Sequence, residues 1–118
     1  MYKNVATAMK VDRILIGTSG YSYTHWKGVF YPDKMQEKKW LEFYSHNFST
    51  VELNVTFYRL PKPAAFETWN SATPSDFRFV IKGSRYITHL KRLASGTESI
   101  QKFFTVAESL YRKLVCVL

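Results

Sequence analysis

Apolar residues recur along this chain in two rhythms, period two and period three to four, and these separate strands from helices. "RILIG", Arg13–Gly17, is a short β-branched run closed by glycine and predicts a first strand of the buried, parallel kind. In residues 33–48, Trp40, Leu41, Tyr44 and Phe48 share one helical face, and Lys38, Lys39 and Glu42 fall between them, as in an amphipathic helix. "TVELN", Thr50–Asn54, alternates, with Val51 and Leu53 on one side and Glu52 and Asn54 on the other, which predicts a second strand. Pro63 suits the first turn of a helix that runs through Phe66 and Trp69 until Pro74 ends it. "FRFVIKG", Phe77–Gly83, predicts a third strand. Ser95 and Glu98 have capping-box spacing, and Ile100, Phe103, Phe104, Ala107, Leu110, Tyr111 and Leu114 carry a helical stripe beyond them. "LVCVL", Leu114–Leu118, reads as a fourth strand.

The predicted order, β-α-β-α-β-α-β, favours an α/β fold with a mostly parallel sheet and right-handed crossovers. Two architectures fit: an open doubly wound sheet, or the first half of a TIM-like (β/α) barrel. Gly17 and Gly20 form GxxG without the third glycine or the opening helix of a dinucleotide fingerprint, so the barrel is favoured. Residues 1–12 stand outside this pattern as an amino-terminal tail, and 13–118 form one domain.

In either architecture ligands bind where the carboxyl ends of the strands open into loops. The chemically unusual residues gather there. Ser19, Tyr21, Tyr23 and Trp26 follow the first strand; Glu52, Asn54, Thr56 and Tyr58 end and follow the second; Lys82, Arg85, Thr88 and His89 end and follow the third. Strand parity puts Glu52 opposite Val51 and Leu53, and Lys82 opposite Phe79 and Ile81. Glu52 and Lys82 are therefore predicted to meet inside the barrel, as a buried carboxylate–ammonium pair. Such a pair supplies a general base and an electrostatic stabiliser, or simply neutralises a polar layer. Arg85 and His89 suit anion binding and proton transfer. Tyr21, Tyr23 and Trp26 suit stacking on a flat ligand, whereas Phe30 and Tyr31 are expected to pack the loop against the first helix.

Charge sharpens this picture. Seventeen Lys and Arg against nine Asp and Glu give +8, and Arg78, Lys82, Arg85, Lys91 and Arg92 follow one another with no acid between. That stretch suits phosphate or nucleic acid, or serves solubility alone. Cys116 is the single cysteine, which points to a reducing compartment without a disulfide framework. No stretch reads as a membrane span or a secretory h-region, so the expected location is cytoplasmic. His25, His46 and His89 form no paired metal motif, although Glu52 and His89 are two ligands that a larger site could use. No cofactor is indicated.

"IGTSGYSYTHWKGVFYP", "YSHNFSTVELNVTFYRLP" and "TWNSATPSDFRFVIKGSRYITHLKRL", in that order, resemble the amino-terminal half of the YecE-like family, domain of unknown function 72. The resemblance covers residues 13–118. It implies a TIM-like barrel with a polar cleft at the strand ends, of about 250 residues for this architecture. Matching positions are Gly17, Thr18, Ser19, Tyr21, Trp26, Glu52, Asn54, Thr56, Tyr58, Lys82, Thr88 and His89. It supplies a site location and no mechanism. The chain is shorter than the resemblance implies, as a fragment, a truncated gene product or one half of a dimer, and its fourth strand would offer an unpaired edge for self-association.

The expected function is that of an enzyme working at the barrel mouth on a phosphate-bearing or nucleic-acid-related substrate, such as a hydrolase of phosphate-containing compounds. Glu52 acts as acid/base or metal ligand, Lys82 and Arg85 as anion stabilisers and His89 as proton shuttle. The alternatives are a non-catalytic nucleic-acid or anion-binding module and an inactive half-barrel.

Overall fold

The computed structural model describes residues 14–83, 85 and 97–118, with the backbone alone at Phe57 and Tyr111. Four strands, β1 (Gly17–Ser19), β2 (Thr50–Leu53), β3 (Arg78–Ile81) and β4 (Leu114–Val117), form one sheet in the order β1-β2-β3-β4. Every neighbouring pair is parallel. Between them lie α1 (Trp40–Asn47), the single turn α2 (Val55–Tyr58), α3 (Pro63–Ser71) and α4 (Thr97–Ala107), which continues as a 3-10 segment over Glu108–Lys113. Strand order follows chain order without reversal, so right-handed crossovers bring successive helices to the same face. A doubly wound sheet needs a reversal, and the described strands have none.

Alternation in β2 and β3 decides which face that is. Val51 pairs with Phe79 and Leu53 with Ile81. All four are buried, in one cluster with Trp40, Leu41 and Tyr44 of α1, Phe66 of α3, and Phe103, Ala107 and Leu110 from the last crossover. Burying each of the larger aliphatic and phenylalanine side chains contributes about 1.5–3 kcal/mol. Pro63 opens α3 at its first turn, where a missing N–H is harmless. Past its other end the buried Lys113 ammonium donates to the Asn70 carbonyl (2.6 Å), the Thr73 carbonyl (2.8 Å) and Thr73 Oγ1 (3.0 Å), supplying donors that the end of a helix lacks. The opposite face carries Ser19, Glu52, Val80 and Cys116 in one cross-strand row. No helix among the described residues covers that row.

Two elements differ from the sequence expectation. Of the apolar run predicted as the first strand, Ile14, Leu15 and Ile16 precede it: β1 starts at Gly17, and Ile14 and Ile16 are 84% and 67% exposed, while Arg13 lies outside the described residues. Pairing rather than hydropathy decides this. A Cβ at Gly17 would collide with the Thr50 carbonyl, so glycine lets β1 approach β2 where the register begins. Asn54 does not extend β2 but precedes α2, which turns the chain away at the strand's end. Ser95 of the predicted capping box lies outside the described residues, while Glu98 occupies the first turn of α4. No helix is long and apolar enough to cross a membrane among the described residues.

Candidate functional site at the carboxyl ends of the strands

Backbone geometry places the polar residues. Gly20 leaves β1 with φ of 77° and donates its N–H to the Glu52 carbonyl at 2.8 Å, locking the loop onto the end of β2. A Cβ at Gly20 would strike the Tyr23 hydroxyl, which donates to the Ser19 carbonyl at 2.5 Å. Thr18 is held from the helix side: its N–H donates to Tyr44 Oη at 2.8 Å, and Tyr44 Oη donates to the Thr50 carbonyl at 2.9 Å. One buried phenol of α1 therefore pins β1 and β2 directly behind the loop.

Four side chains from three strand ends meet here. Asn54 Nδ2 donates to Ser19 Oγ at 2.7 Å, and Ser19 Oγ donates to Glu52 Oε1 at 3.1 Å. Lys82 Nζ lies 3.7 Å from the same carboxylate oxygen. The result is a chain of polar groups from Asn54 through Ser19 and Glu52 to Lys82. The structure thus brings Glu52 and Lys82 together, but not as a buried pair. The Lys82 side chain is 42% exposed and that of Glu52 26%.

Beside the chain opens a pocket of about 340 Å³ lined by Tyr21, Tyr23, Leu53, Asn54, Val55 and Trp69. Its walls are braced from behind. Tyr23 packs against Trp26 with centroids 4.9 Å apart, and Trp69 rests edge-on against Phe66 at 5.1 Å. The Tyr21 carbonyl accepts the Tyr31 hydroxyl at 2.6 Å, while the Tyr31 ring stacks on Trp40 at 4.8 Å, 4° from parallel. Phe30 meets Phe43 edge-on at 5.3 Å. The crowd of rings in residues 21–31 divides accordingly: Phe30 and Tyr31 fasten the loop to α1, Tyr21 and Tyr23 face the pocket, and Trp26, expected to stack on a ligand, instead packs on Tyr23, Phe30 and Tyr31 and is not among the pocket's lining residues. Burial raises the Tyr21 pKa above the usual tyrosine value, and the Trp69 indole N–H offsets part of that rise, so the phenol keeps its proton at neutral pH.

The other sequence-predicted residues fall as follows. Thr56 is completely buried, and its hydroxyl donates to the Leu53 carbonyl at 2.9 Å, so it steadies α2 rather than lining the pocket. Tyr58 is 64% exposed, and the Arg85 guanidinium lies over its ring at 5.8 Å, within cation–π range. Thr88 and His89 lie outside the described residues, as do Lys91 and Arg92 of the basic stretch. No group of three His, Cys, Asp or Glu able to hold a metal ion occurs among the described residues.

Two contributors escaped sequence reasoning. Trp69 sits one helical turn beyond Phe66 and reads as core; periodicity reports the face a ring shares, not the end of the sheet it overlooks. Tyr44 reads as core as well. Its signal was the hydroxyl, because a buried tyrosine needs a partner for it.

The family described as "Protein of unknown function DUF72" matches residues 15–118. The UPF0759 protein YecE of Escherichia coli (strain K12) is 38% identical over 65 residues, which are 55% of this chain and 24% of the relative. The UPF0759 protein YunF of Bacillus subtilis (strain 168) is 32% identical over 91 residues, 77% of this chain and 31% of that one. Among solved structures, a DUF72 family protein of Thermotoga maritima superposes with a TM-score of 0.74 at 32% identity, covering 87% of this chain and 42% of its own. One of Enterococcus faecalis superposes with a TM-score of 0.56 at 29% identity, covering 63% and 32%. The chain spans less than a third of the curated relatives it matches. With a sequence match from residue 15 to residue 118 and a parallel α/β architecture shared with solved relatives, the chain belongs to the DUF72 family, alongside the UPF0759 proteins YecE and YunF.

Proposed function

We propose that this chain supplies the amino-terminal half of a TIM-like barrel, whose mouth binds a phosphate-bearing or nucleic-acid-related substrate and acts on it by acid–base chemistry. The half-barrel reading is supported by strand order without reversal, helices on one face, and Ser19, Glu52 and Lys82 meeting on the other. One observation carries the function: a carboxylate held between a serine hydroxyl and a lysine ammonium where three parallel strands end, beside an aromatic-walled pocket. In this arrangement Glu52 is the proton acceptor or donor. Lys82, with Arg85 nearby in sequence, compensates charge on a phosphate. Ser19 and Asn54 orient the carboxylate, and His89, which follows Lys82 and Arg85 in sequence, is the proton carrier.

The test is hydrolysis of p-nitrophenyl phosphate and bis(p-nitrophenyl) phosphate by the 118-residue chain and by its Glu52→Gln and Lys82→Met variants. A positioned acid or base contributes roughly 10²–10⁴ in rate, so Glu52→Gln is expected to lower kcat by at least about a hundredfold. Lys82→Met is expected to raise KM. Turnover untouched by both substitutions refutes the assignment. Absent turnover combined with oligonucleotide binding that weakens steeply with salt favours the non-catalytic reading, since phosphate contacts release counterions.

A further inference from the structure

The pocket beside Glu52 is unlike an anion site. Its lining is mainly rings and aliphatic side chains; Tyr21, Ser22, Asn54 and Trp69 add polar groups, and the Tyr23 hydroxyl is already given to the Ser19 carbonyl. Its 340 Å³ falls at the small end of ligand cavities, about 300–1,000 Å³. Two polar atoms stand out. Asn54 gives its Nδ2 to Ser19, which leaves its buried Oδ1 without a partner among the described residues. Tyr21, which lines the same pocket, carries a phenolic hydrogen that an acceptor can take. An acceptor and a donor in a mainly apolar, aromatic slot complement the edge of a flat ring that itself carries a donor and an acceptor.

Resting on the reading of the neighbouring carboxylate–lysine pair as the phosphate end of the site, we propose that this pocket takes one nucleobase. Tyr23 and Trp69 contact the ring faces, and Asn54 and the Tyr21 hydroxyl read the ring edge. The phosphate then reaches toward Lys82. Asn54 belongs to both ends, because its Nδ2 starts the chain that runs through Ser19 to Glu52. Every base has a π-face, so the rings supply affinity and the polar edge supplies selectivity. The bracing of Tyr23 by Trp26 and of Trp69 by Phe66 fixes both walls before a ligand arrives, which lowers the entropic cost of ordering that opposes binding.

Calorimetric binding of four probes to the 118-residue chain separates the base from the phosphate: adenosine 5′-monophosphate, uridine 5′-monophosphate, ribose 5-phosphate and adenosine. At least one of the nucleotides is expected to bind about tenfold or more tightly than ribose 5-phosphate, given the worth of one base–ring contact. Tyr23→Leu and Trp69→Leu should erase that difference while leaving ribose 5-phosphate binding in place. Tyr23→Phe, which keeps the ring, should preserve it, and circular dichroism of each variant establishes that the fold survives. Lys82→Met should weaken all three phosphates and leave adenosine unchanged. Equal affinity for both nucleotides and ribose 5-phosphate overturns the base pocket and leaves the phosphate reading standing. Adenosine binding as tightly as its monophosphate supports the pocket and overturns the phosphate reading. Binding of none of the four overturns both.

Discussion

Replacing Tyr44 by phenylalanine removes a single oxygen from the middle of the structure, and its consequences can be worked out atom by atom. The ring is completely buried and stacks on Phe48 at 4.9 Å, contacts that phenylalanine preserves. What disappears is an acceptor for the Thr18 N–H at 2.8 Å, a donor to the Thr50 carbonyl at 2.9 Å and a hydroxyl contact with Thr18 Oγ1 at 2.9 Å. Leaving a buried polar group without its partner costs about 1–3 kcal/mol, and the Thr18 amide is only partly buried, so a loss of about 2 kcal/mol is expected. For a chain of this size that lowers Tm by roughly 6–12 °C. Urea unfolding followed by circular dichroism measures it, as a lower midpoint with an unchanged slope. The substitution also frees β1 just before Ser19, so nucleotide affinity should fall although Tyr44 touches no ligand. A midpoint shift equivalent to less than about 0.5 kcal/mol would refute the idea that this hydroxyl fastens β1 to β2.

Three further outcomes follow from the same contacts. Lys113→Met should cost about 2–3 kcal/mol, because the Asn70 and Thr73 oxygens lose their donor in a buried setting; a thermal midpoint equal to that of the parent chain would show the ammonium to be dispensable. Gly20→Ala should destabilise by about 1–3 kcal/mol through its positive φ alone and displace the Tyr23 ring, visible as a changed tyrosine signal in near-ultraviolet circular dichroism; an unaltered signal contradicts it. Burial raises the pKa of Tyr21, Tyr31 and Tyr44 above 10.0, so the unfolded chain releases these protons first. The stability they contribute is complete below pH 10.0 and is lost as the pH rises beyond it, so a urea midpoint that stays level between about pH 9 and 11 overturns the assignment.

How much of this was legible in the sequence depended on whether a feature is periodic. Val51 and Leu53 alternate with Glu52, and Phe79 and Ile81 with Val80, so the core-facing set and the placement of Glu52 and Lys82 on the other side followed from parity. The helices α1 and α3 followed from their stripes and from Pro63. β1 did not, because an edge strand of only three residues, Gly17–Ser19, is specified by a close approach to Thr50 and by the Tyr44 hydroxyl, and neither leaves a hydrophobic trace. The turn α2 was hidden for a related reason: Thr56 has no helical signature in sequence and gains one only when its hydroxyl finds the Leu53 carbonyl. Exposure was the least legible property. A carboxylate and an ammonium on one face of a sheet read as buried only if something lies across from them.

That dependence reaches the chemistry. Opposite charges 3.7 Å apart attract by about 1 kcal/mol in water and about 4 kcal/mol at an effective dielectric of 20. With Lys82 42% exposed, the pair in this chain belongs near the first figure, where screening and side-chain entropy leave little net stabilisation. It is not there to hold the fold. On the proposed reading a phosphate competes with Glu52 for the Lys82 ammonium, and Ser19 still orients the carboxylate when it does, since that hydrogen bond does not involve Lys82. Anything that covers the polar face excludes water, strengthens both the pair and its competition with an anion, and thereby sets how much of the lysine's charge reaches a ligand. The strength of anion binding and the covering of this face are one physical variable, and the open sheet described here is its weak-pair limit.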